Sequence, residues 1–261
     1  MKFLWSRLNK LWLFLALAIG LSISVVQCAV SVSKYIPATN SPYTMWISID
    51  GFTFVPTIFF ILLPLIASLP ASTLLKEDFT NGYFYKLKMG KSIKQILLGY
   101  LKIAFMTGFI VIAVPLLFNF LSWFMILPNV KPDNLLNINI GAMNFTMLFV
   151  SLYYSHPFVH AILSIIFSSL WGGLFAVFAM VTSLWIKNKF AAMCTGLVLQ
   201  IILLLMNATI HLPYFISYSP ADSLRELPGT ANIYVAVFMT AILLLYCMIM
   251  FHVDEKRLAE L

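Results

Sequence analysis

A group of side chains suited to ion pairing and apolar docking follows the second long apolar run of the chain, within residues 74–95. Acids come first, a glycine follows, and aromatic and aliphatic side chains then mix with lysines. The residues that carry the pattern are Glu77, Asp78, Gly82, Phe84, Leu87 and Lys91. Such a segment can pair its charges with a partner and place its apolar side chains in a groove. We interpret it as a short docking helix, with a membrane-surface hairpin as the alternative.

Three histidines offer a second kind of chemistry. His156 and His160 stand four residues apart, and His211 follows in a later connection. Two imidazoles at this spacing can share a metal ion. The sequence places no carboxylate or thiolate nearby, so we predict that these histidines bind nothing.

Sequence motifs of the common enzyme classes are missing. The chain has no Gly-x-Ser-x-Gly, no His-Glu-x-x-His and no Walker A sequence. We therefore predict that the protein is not an enzyme and holds no cofactor or metal of its own.

Six apolar runs must position these side chains, and each has at least the ~20 residues that a spanning helix needs. They cover residues 11–32, 54–73, 96–127, 157–185, 191–212 and 232–251. The chain is 62% hydrophobic and 10% charged, whereas soluble domains carry about 25% charged residues. We predict an all-α, multi-pass protein of the cell membrane, a single domain over 1–261 with membrane lipid around it.

Lysine and arginine alternate between the connections. Twelve of them lie in the N-terminus, the second and fourth connections and the tail, three lie in the intervening connections, and Lys102 lies inside a run. Cytoplasmic flanks of membrane helices are enriched in these residues. The pattern predicts that both termini and residues 74–95 are cytosolic and that 128–156 is an external loop. Anionic lipid then accounts for the net charge of +7, and nucleic acid is not an expected partner.

The first ten residues have an apolar and a polar helical face. Residues 1–10 are therefore predicted to form an amphipathic helix in the membrane interface, although they could simply extend the first spanning helix.

Small side chains at helical spacing mark a packing face in the fourth run. They are Ser168, Gly172 and Ala176, with Gly173 beside them. Small residues at this spacing let helix backbones approach closely in lipid. We expect packing within the chain, and a seam between two copies is the alternative.

Polar groups are rare inside the runs. A charge such as Lys102 at mid-bilayer costs about 2.5–3.5 kcal/mol, so we expect it to reach the cytoplasmic interface, with a buried partner as the alternative. Asn119 and Gln200 are expected to form hydrogen bonds between helices. No run contains an acid, which disfavours a transporter driven by protons or sodium ions.

The segment after the second run resembles the first cytosolic loop of permease subunits in the type-2 superfamily of ATP-binding-cassette (ABC) exporters. The matching residues, in order, are Glu77, Gly82, Leu87, Ser92 and Leu97-Leu98-Gly99. Ser219-Pro220-Ala221-Asp222 before the last run and Asp254 after it also resemble the family. The family often has proline before the loop serine and arginine after it, whereas Lys91 and Ile93 flank Ser92 here.

The resemblance implies six membrane helices, a separate cytosolic ABC ATPase that holds ATP-Mg, and a second permease, identical or paralogous. The short chain is similar to permeases of antimicrobial-peptide export and immunity systems. Two other functions stay open. A membrane immunity or assembly protein that acts without ATP would not need the acid–glycine–leucine loop, and an integral membrane enzyme that modifies lipid would need a site at the histidines.

Overall fold

The computed structural model describes residues 2–34, 41–90, 92–133, 142, 147–226 and 231–260. The first half of the chain forms α1 (Lys2–Arg7), α2 (Lys10–Lys34), α3 (Pro42–Met45), α4 (Val55–Ser68), α5 (Leu74–Thr80), α6 (Tyr83–Lys88) and α7 (Ile93–Ile126). The second half forms α8 (Val150–Ser155), α9 (Pro157–Ser183), α10 (Lys189–Met193), α11 (Thr195–Thr209), a 3-10 turn (Pro213–Phe215), α12 (Pro220–Leu224) and α13 (Ile233–Glu260). The predicted external loop 128–156 lies partly outside the described residues.

Among the described residues, four helices, α2, α7, α9 and α13, are long and apolar enough to cross a membrane. With 34 residues, α7 extends about 51 Å at ~1.5 Å per residue, which exceeds the ~30 Å hydrocarbon core. By the same rise, α4 with 14 residues and α11 with 15 reach only about 21 Å and 22 Å. The predicted all-α fold is thus confirmed for the described residues, and the long apolar helices are compatible with a membrane protein. The count of six spans and the cytosolic position of the termini stay predictions.

The long helices α7 and α9 approach each other closely at glycines of both helices. A Cβ added at Gly108 of α7 would lie 2.6 Å from the Cβ of Ala176 and 2.8 Å from the carbonyl oxygen of Gly172. A Cβ at Gly173 would lie 2.7 Å from a phenylalanine ring of α7. These residues and Ser168 are buried. The small-residue face therefore packs within the chain, which is the arrangement that the sequence analysis expected.

Short elements gather at the two ends of the bundle. At one end, called the basic end here, lie α1, α5, α6, the start of α7 and the ends of α9 and α13. Trp185 after α9 donates its indole N–H to Asp254 of α13 at 2.8 Å, and Lys88 of α6 donates to the carbonyl of Leu258 at 3.3 Å. The segment 41–53, α8 and α12 lie at the opposite end.

The first ten residues do not simply extend the first long helix. The α-helical conformation is interrupted at Leu8 and Asn9, and the Asn9 side chain accepts a hydrogen bond from the N–H of Leu11 at 3.0 Å. Because an asparagine side chain in this position satisfies a free N–H of the next helix, α2 begins anew. A separate N-terminal helix is confirmed, and its place in the membrane interface stays a prediction.

A buried polar network joins α2, α7 and the segment 41–53 at the opposite end. The Gln27 side chain donates to the carboxylate of Asp50 at 2.7 Å, and Asn119 donates to the Gln27 carbonyl at 2.8 Å. Asn119 also accepts from the N–H of Ile47 at 2.9 Å. The fully buried Asp50 further accepts from two backbone N–H groups and a threonine hydroxyl. The expected role of Asn119 in helix–helix hydrogen bonding is confirmed.

We predict that Asn119→Leu, which keeps the volume but removes the amide, lowers the melting temperature in detergent. The change leaves the buried N–H of Ile47 without its partner, which costs about 1–3 kcal/mol. For a protein of this size that corresponds to roughly 2–4 °C per kcal/mol. Ser122→Ala is the control, because the Ser122 hydroxyl bonds to a carbonyl within α7. Equal melting temperatures for the two variants would contradict a stabilising role for the network.

Candidate partner-binding site at the basic end

The predicted docking segment folds into two short helices, α5 and α6, joined by Asn81 and Gly82. Gly82 has φ +71°, and no atom lies within 4 Å of the position that a Cβ would take. The left-handed backbone, and not a lack of space, therefore favours glycine. The Ser92 hydroxyl then starts α7 by accepting a hydrogen bond from the N–H of Gln95. Lys91 lies outside the described residues, so its predicted contact with a partner stays untested.

Asp78 is fully buried at the centre of a charged triad. The Arg7 side chain from α1 binds one carboxylate oxygen, with its Nε 3.0 Å away. The Tyr100 hydroxyl from α7 donates to the other oxygen at 2.6 Å. The prediction that Asp78 pairs with basic groups of a partner is therefore wrong, because its own chain occupies both oxygens. The triad instead ties α5 to α1 and α7.

Phe84 also turns inward. Its ring is 1% exposed and belongs to an apolar cluster at the basic end that includes Leu75 and Leu97. Leu87 is half-buried against the same cluster. The prediction that Phe84 fills a groove on a partner is contradicted, because α5 and α7 already cover the ring. Leu87 keeps part of its surface for a partner.

The exposed large apolar side chains of α6 and of the residue that follows it are Tyr85 and Met89, called the α6 tip here. Tyr85 is 41% exposed and Met89 is 85% exposed. The two residues are one helical turn apart and share a face, and the exposed Lys86 lies between them. Neither residue was predicted from the sequence. The i, i+4 spacing was a usable signal, but it required knowing which face of α6 the cluster covers.

Two residues of α5 bind the link between α9 and α10. The Lys76 ammonium donates to the carbonyls of Ile186 and Lys187, the latter at 2.7 Å. Burial, and next the charge of Lys189, lower the pKa of Lys76. Glu77 is partly exposed and lies 3.4 Å from the Lys189 ammonium. Of the predicted partner-facing acids, Glu77 alone keeps accessible carboxylate surface.

One of the three histidines, His160, has a neighbour that the sequence did not predict. His160 is buried, with its Nε2 3.2 Å from the carboxylate of Glu226 and 2.9 Å from the carbonyl of Leu148. His156 and His211 are exposed. The expectation that no carboxylate lies near the histidines is wrong, since the fold brings Glu226 from 66 positions away. Within the described ranges, no three potential metal-ligating side chains gather into a group.

The α6 tip thus belongs to a two-helix unit that is bonded to α1, to α7, to the α9–α10 link and, through Lys88, to α13. The three cysteines take no part in it and are free thiols. Comparisons with protein-family models, curated proteins and solved structures found no match.

Proposed function

We propose that the chain is the membrane-spanning subunit of an ABC exporter and that a separate cytosolic ATPase binds the α6 tip. One observation carries the proposal. An exposed apolar surface with an adjacent lysine sits on a two-helix unit whose polar groups bind three different long helices or their ends. A protein that displaces this surface acts on all of them at once.

The bonds of the unit suit it to transmit force. The Asp78 triad and the Lys76 contacts join α5 to α7 and to the α9–α10 link, so in this proposal a displacement of α5 is passed on to those elements. A partner changes the conformational equilibrium only by the difference in its contact energy between two states. In this proposal the ATPase holds ATP-Mg and supplies that difference through the α6 tip.

The remaining architecture follows from the charge pattern. In the proposal α4 and α11 complete six crossings, so both termini share the cytosolic side with the basic end, where lysine and arginine are enriched. A second permease, identical or paralogous, completes the pathway across the membrane. Export of, or immunity to, antimicrobial peptides is the biological setting that the proposal takes from the family resemblance.

We predict that the double change Tyr85→Asp and Met89→Asp, made in the tagged full-length chain, breaks its association with the ATPase. Two carboxylates would have to be buried in an apolar contact, which costs more than the ~1.4 kcal/mol that corresponds to tenfold in affinity. Co-purification and permease-stimulated ATP hydrolysis are the measurements. Val130→Asp is the control, because Val130 is exposed in a loop beyond the far end of α7.

A photoactivatable amino acid at position 89 identifies the partner directly. We expect the cross-linked protein to carry a Walker A sequence and to hydrolyse ATP. Unchanged association in the double variant would remove the α6 tip as the docking surface. An impermeant thiol reagent that reaches Met89→Cys from outside intact cells would invert the topology and end the exporter proposal. A functional chain with no nucleotide-dependent partner would favour the immunity or assembly protein.

A further inference from the structure

An apolar groove of about 490 Å³ lies between α7, α9 and α13. Its rim is open, since Met106 of α7 is 50% exposed and Met248 of α13 is 57% exposed. The groove wall is otherwise formed by aliphatic, aromatic and thiol side chains, among them Leu101, Phe105, Leu174, Val177, Cys247 and Phe251. An open apolar groove on helices of spanning length faces either lipid or another apolar surface.

Lys102 contributes the one charge among the residues that line this groove. It is exposed, and it takes part in none of the ion pairs found among the described residues. Lys102 lies eight residues beyond Lys94 on α7, about 12 Å further along the helix axis. An ammonium group at that level within an apolar helix needs a counter-charge or must extend toward the headgroups.

We infer that this groove is a phospholipid-binding site, with an acyl chain between α7 and α13 and the headgroup phosphate on Lys102. An acyl chain satisfies an apolar wall that offers no hydrogen-bond partner. The phosphate supplies the counter-charge that the described chain does not. Leu98 and Phe251 line the groove on the side of the basic end, so the headgroup lies toward that end and the chain points to the bilayer centre.

Other occupants fit the groove less well. A peptide in extended form would place backbone amides against a wall that cannot bind them. A second copy of this chain would have to bring an acid to Lys102. All nine acids of the chain lie outside the apolar runs, and the nearest one along α13, Asp254, is buried and bound to Trp185. The inference does not depend on whether an ATPase binds the α6 tip.

The test uses the purified full-length protein in vesicles of phosphatidylcholine and phosphatidylglycerol that contain a phosphatidylglycerol with a photoactivatable group on one acyl chain. We expect adducts to concentrate on the groove-lining residues of α7 and α13. Lys102→Gln should reduce these adducts several-fold relative to adducts on α2, whose exposed Phe14 serves as an internal reference for general lipid contact. Lys94→Gln, an exposed lysine of the same helix that does not line the groove, should leave the ratio unchanged.

A second variant distinguishes the effect of the Lys102 charge on lipid binding from the effect of the free volume in the groove. Met106→Trp should fill the rim and lower the adduct yield while Lys102 is kept. Adducts spread evenly over the exposed apolar residues, or equal yields in Lys102→Gln and Lys94→Gln, would overturn the inference. So would a cross-link between two copies through the groove that replaces the lipid adducts.

Discussion

Replacing Gly108 by alanine is expected to lower the melting temperature of the protein markedly, although alanine normally stabilises a helix interior by about 1 kcal/mol relative to glycine. The new methyl group would lie 2.8 Å from the carbonyl oxygen of Gly172 and 2.6 Å from the Cβ of Ala176. Both are parts of the facing helix that cannot rotate away. The α7–α9 pair must therefore separate, and overpacking of this kind costs about 1–3 kcal/mol or more.

Two further glycine-to-alanine substitutions provide a comparison for Gly108→Ala. At Gly172 a new Cβ would lie 2.6 Å from the Cγ1 of Ile112 and 3.0 Å from the carbonyl oxygen of Gly108. Since Ile112 is β-branched and stiff at χ1, Gly172→Ala should also lower the melting temperature. At Gly51 no atom lies within 4 Å, so Gly51→Ala should leave the melting temperature unchanged or raise it slightly. Thermal unfolding in detergent, followed by intrinsic fluorescence, gives the ranking. Equal behaviour of Gly108→Ala and Gly51→Ala would show that the two helices do not meet at Gly108.

The α7–α9 interface shows how much of the helix packing could be predicted from the sequence. The small residues from Ser168 to Ala176 repeat every four positions, and that period predicts a close helix contact whatever the partner is. On α7, Ala104 and Gly108 have the same spacing, but so do Ala16, Gly20 and Ser24 on α2, so the spacing alone does not identify the partner. The partner helix could be found only from the three-dimensional packing of α7 against α9.

Charged residues were harder to place from sequence than apolar ones. Asp78 and Glu77 are neighbours in a lysine-rich connection, and both were expected to face a partner. The fold buries Asp78 between α1 and α7 and leaves Glu77 partly exposed. The difference in burial between Asp78 and Glu77 depends on Arg7, which is 71 positions from Asp78 in the sequence. Periodicity within one segment carries no information about such a partner, and the same holds for His160 and Glu226.

The second prediction with a large expected effect concerns the Arg7–Asp78 pair. Substituting Arg7 should destabilise the protein more than substituting Asp78. Arg7 is 31% exposed at its side chain and Asp78 is fully buried. Arg7→Met leaves a buried carboxylate with the Tyr100 hydroxyl as its remaining described side-chain partner, and an uncompensated buried charge costs about 3–5 kcal/mol. Asp78→Asn leaves a guanidinium that can regain water, so we expect a loss nearer about 1–3 kcal/mol.

The double variant decides whether the buried charge is the cause. Adding Asp78→Asn to Arg7→Met removes the orphaned carboxylate, so the double variant should be more stable than Arg7→Met alone. A solvent-screened pair would instead give two small losses, each at most about 1 kcal/mol, that simply add.

Arg257→Met controls for loss of an arginine stacked on a ring, because Arg257 lies 4.5 Å from the Trp185 ring centroid and Arg7 lies 4.1 Å from that of Tyr83. Its loss should be only about 0.5–1 kcal/mol. Five melting curves, recorded in one detergent for the unchanged chain, the two single variants, the double variant and Arg257→Met, measure the cycle and this control. If Arg7→Met and Arg257→Met melt together, the Asp78 carboxylate is solvated and α1 is not held by it. Permease-stimulated ATP hydrolysis by the proposed ATPase is measured on the same folded variants. A loss in Arg7→Met that is not seen in Arg257→Met would support the proposal that the triad positions the α6 tip for the ATPase.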